Sequence, residues 1–115
     1  MSPSQRDDYV LRQTRAIAAM IARMMGLRLE GEPEKARVEL EQAYGSLLGP
    51  QAELIRRVDA STAIRLIASR ENVEAFAQLL EEESEQATDE KQSAFLRGRA
   101  AEFRKALRQK SGGSE

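Results

Sequence analysis

The residues of this sequence that could do chemistry are mostly charged, and the densest run of acidic ones lies in the last third of the chain. The run comprises Glu81, Glu82, Glu83 and Glu85, followed by Asp89 and Glu90. Helical carboxylate sites for metals usually include a Glu-x-x-His motif, and this chain contains no His. The run also lacks the Asp-Gly loop spacing of a calcium-binding hand. We therefore interpret it as a solvated helix end near Lys91 and Arg97, and we predict neither a metal nor a cofactor.

Basic residues recur on one face of the predicted last helix. This candidate basic face consists of Arg97, Arg104 and Arg108, and a second basic arc on the first helix consists of Arg12, Arg15 and Arg23. Either group could contact phosphates. The alternative is a solvated face, since the net charge is −1 and no aromatic residue is interleaved to stack on bases. Nucleic-acid binding is therefore the runner-up function, and we regard it as the less favoured one.

A catalytic centre is hard to build from these residues. The chain has no Cys and no His, so it lacks a thiolate nucleophile and the commonest general base. Ser61 and Thr62 have only Lys, Asp or Glu side chains, at unknown distances, to activate them. There is no Gly-rich phosphate loop. We predict that the protein is not an enzyme.

The composition, with 41% hydrophobic and 32% charged residues, is typical of a folded protein and not of a disordered or membrane-embedded one. No apolar run approaches the roughly 18 residues that a membrane helix needs. The opening residues, MSPSQRDDYV, lack the basic-then-apolar order of a signal peptide. These patterns predict a cytoplasmic protein without a membrane partner.

The elements that must position any site are helices. Apolar spacing predicts a first helix over residues 9–29, with Asp7 and Asp8 at its start and residues 1–6 loose. Gly31 predicts its end and Pro33 the start of a second helix, so that the two form an antiparallel hairpin. The inner face of the second helix, which ends before Gly49-Pro50, is predicted to comprise Ala36, Leu40, Ala43, Tyr44 and Leu47.

The second half of the chain continues the helical pattern. Residues 51–69 form either one helix or two, with Asp59 or Ser61 as the cap of the second. Ser69 or Asn72 would cap a helix that carries Val73, Phe76, Leu79, Leu80 and Ala87. The last helix is predicted over residues 90–109, with Leu96, Ala100, Phe103 and Leu107 on one face. We predict one domain over residues 1–110 and a flexible tail over residues 111–115.

The turn and its flanking residues resemble a tetratricopeptide-type repeat. Gly31, Ala36, Leu40 and Ala43 have the spacing of that family, whereas Met20, Met24 and Leu27 replace its usual aromatic, small and Tyr residues. Residues 71–108 resemble a second, weaker hairpin. More narrowly, the segments DYVLRQTRAIAAMIARMMGLRLEG, EKARVELEQAYGSLLG and EAFAQLLEEE resemble a group of short bacterial proteins with a tetratricopeptide-like fold and no assigned activity. The resemblance implies an all-α fold in which antiparallel hairpins close into a compact bundle of five to six helices.

The first helix has an unusually wide apolar arc, which covers roughly 200° of its circumference, whereas one partner helix covers only about 100–140°. Met20 and Met24 have the spacing of core residues against the second helix. Met25, Leu29 and Leu11 lie on the other flank together with Arg15, and we predict these four as an interaction surface. The later helices could cover this flank and leave a monomer. We favour a homodimer or another protein partner, since a short chain gains from burying a second face.

Overall fold

The computed structural model describes the backbone of residues 3–67 and 69–113 and the side chains of residues 8–67 and 69–109. Six α-helices account for most of this part of the chain, and they are α1 (Pro3–Leu29), α2 (Pro33–Leu48), α3 (Ala52–Arg57), α4 (Ala60–Ile67), α5 (Arg70–Gln86) and α6 (Glu90–Gly113). A short 3₁₀ turn, Gly49–Gln51, joins α2 to α3. The described residues contain no strand. The predicted compact all-α fold is thereby confirmed.

The helices are arranged around α5, which packs against α1, α2 and α6. Helix α1 packs mainly against α2 and α5, and most of the apolar side chains of α5 are buried. Tyr44 of α2, Phe76 of α5 and Phe103 of α6 form a chain of edge-to-face contacts, with ring centroids 5.9 and 5.1 Å apart. These aromatic contacts tie three helices together at the core.

The hairpin between α1 and α2 closes as the sequence predicted. Gly31 adopts a left-handed conformation with φ of 76°, which costs glycine little. Its amide donates to the carbonyl of Arg28, and the next amide, of Glu32, donates to the carbonyl of Leu27. This pair of bonds is a Schellman motif, and it satisfies carbonyls that the helix end leaves free. Pro33 then starts α2 at a position where a missing N–H costs nothing.

The buried faces agree with the predicted ones. All five residues predicted on the inner face of α2 are buried, and so are the four predicted on α6. In α1, Met24 is fully buried, and Met20 packs against the core with partial exposure. Helical periodicity alone therefore located the core side of these elements.

Residues 51–69, for which the sequence left one or two helices open, contain two short helices. Val58 is extended and breaks the helix after Arg57. Asp59 then accepts hydrogen bonds from the backbone N–H and the hydroxyl of Thr62, which identifies it as the cap of α4. The hydroxyl of Ser69 accepts from the backbone N–H of Asn72 and caps α5 in the same way.

Both chain ends differ from the predicted boundaries. Helix α1 begins at Pro3, so the prediction of a helix start near Asp7 was wrong, and so was that of a loose segment as far as it concerns residues 3–6. Proline is well suited to a first helical position, and the polar residues that follow it continue the helix. At the other end α6 continues to Gly113 and overlaps the predicted tail. Residues 1, 2, 114 and 115 lie outside the described part of the chain.

Candidate interaction surface

One side of α1 is left without a neighbouring helix. Leu11 and Met25 are each 47% exposed, and Leu29 is 84% exposed. Three further exposed residues, Arg15, Ala18 and Ala22, lie on the same side of the helix. We refer to these six residues, Leu11, Arg15, Ala18, Ala22, Met25 and Leu29, as the α1 seam. The structure therefore brings together all four residues that the sequence predicted as an interaction surface.

Two other sides of α1 are occupied within the chain. Arg23 forms an ion pair with Glu39 of α2, and Arg28 forms one with Glu82 of α5. Gln13 donates to the backbone carbonyl of Ser46 in α2 and accepts from the side chain of Asn72 in α5. Since successive helical residues are about 100° apart, these contacts place α2 and α5 on adjacent sides. The α1 seam lies outside these two sides.

An open groove runs beside the α1 seam, along α5 between α1 and α6. It consists of two clefts that both include Gln78 of α5. Ala18 lines the first cleft together with Leu107 of α6, and Met25 lines the second. The seam and the groove thus share two residues and form one continuous surface.

The candidate basic face forms the α6 wall of this groove, but two of its three residues are engaged. Arg97 donates to the hydroxyl of Ser93 and to the carboxylate of Glu90. Arg104 forms ion pairs with Glu74 and Glu81 of α5. Arg108 is exposed and has no ion pair within the described part of the chain. The three residues share a face, as predicted, yet their charge is largely balanced by acids.

The acid run is solvated only in part: Glu85, Asp89 and Glu90 are exposed, as the sequence suggested, whereas the first three residues of the run have partners on neighbouring helices. Glu82 is only 5% exposed and accepts two hydrogen bonds from Arg28. Glu83 accepts from the hydroxyl of Tyr44, and Glu81 pairs with Arg104. For Glu81, Glu82 and Glu83 the prediction failed because they face three neighbouring helices that supply these partners. No group of acidic residues within the described residues has the arrangement of a metal site.

Sequence reasoning also missed residues that complete the surface. Ala18 and Ala22 fill the middle of the α1 seam, and their signal was the regular spacing of the seam residues along the helix. The contacts of Arg56 could not be read from the sequence. Its guanidinium stacks over the ring of Tyr44, 3.9 Å from the centroid, and pairs with Glu41 and Glu83.

A third cleft, near the exposed Phe95, is also basic, but its basic side chains already have partners within the chain. Arg56, Arg57 and Arg99 line it together with Glu53 and Glu83. Arg99 donates to the backbone carbonyls of residues 55 and 58, and Arg57 lies 4.0 Å from Glu53. Arg99 links α6 to α3, whereas Arg56 contacts α2 and α5 and Arg57 lies beside a carboxylate of its own helix.

Comparisons with known proteins identify no relative. No family model matches the chain, no curated protein matches it, and no solved structure matches it. The resemblance to tetratricopeptide-like proteins therefore stays a prediction. No helix within the described residues is long and apolar enough to cross a membrane.

Proposed function

We propose that this chain is a non-catalytic helical module for protein–protein interaction that self-associates through the α1 seam. The observation that carries the proposal is the concentration of exposed apolar side chains on one side of α1. Single exposed hydrophobic residues are normal on any protein surface, whereas aligned ones are typical of interaction sites. Leu11, Met25 and Leu29 are aligned, while other large exposed apolar residues, such as Val38, Leu54 and Phe95, lie on three different helices.

We further propose that the two hairpins are of the tetratricopeptide type. Ala36, Leu40 and Ala43, which have the family spacing, are all buried in the structure. Gln13 contacts Asn72, and both lie in the first half of their helices, whereas Arg28 and Glu82, which also contact each other, lie in the second half. Helices α1 and α5 therefore run parallel. Parallel first helices are what successive stacked hairpins require. A solved structure of a relative with the same arrangement would test this assignment.

The runner-up function, nucleic-acid binding, has less support. Arg97 and Arg104 donate to side chains of their own chain, so binding phosphate would require breaking these contacts. The net charge of −1 provides no general attraction to a polyanion. The proposed interaction is therefore with protein.

Light scattering and circular dichroism test the self-association. We expect wild type to scatter as a dimer at tens of micromolar and Met25→Arg as a monomer with unchanged helicity, because the substitution places a charge in the apolar seam. Val38→Arg is the matched control, since Val38 is 58% exposed on α2, away from the seam. A monomeric wild type, or a Val38→Arg variant that dissociates equally, would contradict the proposal.

A further inference from the structure

The residues of the α1 seam follow the spacing of a coiled-coil contact. Their positions, 11, 15, 18, 22, 25 and 29, are separated by alternating steps of four and three. This is the heptad pattern that keeps one side of a helix facing a partner helix. All six residues are exposed, so this pattern is separate from the one that buries Ile17 and Met24 in the core. The seam extends over roughly 27 Å, which is enough for several layers of contact.

The seam is symmetric in side-chain size about the level of residue 20. Leu11 corresponds to Leu29 at the other end, and Ala18 corresponds to Ala22 in the middle. Between them Arg15 corresponds to Met25, and both have long unbranched side chains. A surface with the same order of side-chain sizes in both directions can fit its own copy across a two-fold axis. From this symmetry we infer that two copies pair their α1 helices antiparallel, with the two-fold axis at the level of residue 20. This inference rests on the proposed self-association.

The position of Arg15 selects the antiparallel orientation over the parallel one. In a parallel pair each seam residue meets its own copy, so two Arg15 guanidinium groups would face each other within the contact. Like charges placed opposite each other are destabilising. In the antiparallel pair Arg15 lies beside Met25 of the second copy, and the two Arg15 residues are roughly 15 Å apart along the helices. Its guanidinium can then extend past the thioether toward water.

The two alanines explain how the helices can approach each other. The distance between packed helices depends on the side chains at their contact, and small residues allow the closest approach. Ala18 and Ala22 lie where the axes would cross, while Leu11 and Leu29 lie at the ends, where crossing helices diverge. Larger side chains at the ends fill the widening gap, so the size pattern suits one crossing at the centre.

A charge exchange tests the orientation. Met25→Arg alone should dissociate the dimer, because the introduced guanidinium then lies beside Arg15 of the second copy. Adding Arg15→Glu should restore the dimer, since each new carboxylate then faces the guanidinium that Met25→Arg introduces in the second copy. We expect the double variant to dimerise at least about tenfold more tightly than Met25→Arg, which corresponds to about 1.4 kcal/mol. In a parallel dimer the double variant would bring Glu against Glu and Arg against Arg, and no restoration would occur.

Cross-linking provides an independent measurement, because the native chain has no Cys. A mixture of Leu11→Cys and Leu29→Cys chains, of which one carries a tag, should give the mixed dimer with a short bismaleimide, and neither variant alone should cross-link. Ala16→Cys is the control, since Ala16 is exposed on α1 but lies away from the seam. Cross-linking of Leu11→Cys to itself, or a double variant that stays monomeric beside a dimeric wild type, would overturn the orientation and leave the proposed function intact. A monomeric wild type would overturn both proposals.

Discussion

Arg28 and Glu82 are 54 positions apart in the chain, and the guanidinium of the first donates two hydrogen bonds, of 2.7 and 3.0 Å, to the carboxylate of the second. The Glu82 side chain is 4% exposed and that of Arg28 is 24% exposed. Gln86 also donates to Glu82, over 3.1 Å. The hydrogen bond to Glu82 raises the pKa of Arg28. This pair connects α1 to α5 within the cleft that Met25 lines, and so it fixes the helix that carries the seam.

The unequal exposure of the two partners leads to an asymmetric prediction for their removal. Arg28→Met leaves a buried carboxylate with Gln86 as its remaining donor, and we expect it to lower the free energy of unfolding by about 3–5 kcal/mol. Glu82→Leu should cost less, because the freed guanidinium can reach water. The double variant should lose less than the sum of the two single losses. Urea denaturation of the four proteins measures this coupling, and strictly additive losses would mean that the pair contributes nothing as a pair.

Tyr44 is buried beside charged groups, and this produces a predicted dependence on alkaline pH. Its hydroxyl donates a 2.6 Å hydrogen bond to Glu83. Burial, followed by the charge of Glu83, raises the pKa of Tyr44 far above its ordinary range. A phenol whose pKa is raised by folding stabilises the fold fully at pH values below its unfolded pKa of about 10. That contribution is lost progressively as the pH rises above this value, because the unfolded chain can then ionise.

We therefore expect wild type to lose more stability than Tyr44→Phe when the pH is raised from about 9 to 11, the interval that spans the unfolded tyrosine pKa. The comparison is made in a Tyr9→Phe background. Tyr44 is then the one tyrosine in the first protein, and the second protein has none. Urea denaturation at each pH gives the stabilities, and phenolate absorbance reports the ionisation directly. Parallel pH profiles for the two proteins would show that Tyr44 ionises in the folded state as easily as in the unfolded one.

Two glycines on the first hairpin should respond to alanine with opposite signs. Gly31 has a φ of 76°, so Gly31→Ala forces a side chain into the left-handed region and should cost about 1–2 kcal/mol. Gly45 lies within α2, and an added methyl group there would meet no atom within 4 Å. Gly45→Ala should therefore stabilise the chain by about 0.5–1 kcal/mol. Thermal melts of both variants measure these two changes in stability. Equal shifts in the same direction would be inconsistent with the hairpin geometry.

Local patterns predicted the parts of the fold that depend on neighbouring residues. The inner face of α2 follows from the spacing of Ala36, Leu40 and Ala43, and Gly31 with Pro33 marks the turn. The same patterns placed Met24 on the core side of α1 and Met25 on the other flank, but they could not show whether that flank stays exposed. Its exposure depended on where α5 docked.

The sequence could not predict the partners of the charged residues either, because these also depend on how the helices dock. Glu81, Glu82 and Glu83 are consecutive, yet each bonds to a different helix, because adjacent helical positions point about 100° apart. Their partners, Arg104, Arg28 and Tyr44, come from both sides of the run in the sequence. A run of acids at a helix end is usually solvated, and only the tertiary arrangement overrides that expectation here.

The candidate basic face provides the last prediction. At physiological salt we expect no retardation of generic DNA or RNA by the wild-type chain in a gel-shift series, because Arg104 is held by Glu74 and Glu81 and the net charge is −1. Glu74→Gln/Glu81→Gln should release that guanidinium and raise the net charge from −1 to +1. Weak binding that falls with added salt is the expected result for this variant. If the wild type itself bound tightly, lost binding steeply with salt, and lost it in Arg97/Arg104/Arg108→Ala but not in Arg12/Arg15/Arg23→Ala, nucleic-acid binding would replace protein interaction as the better supported function.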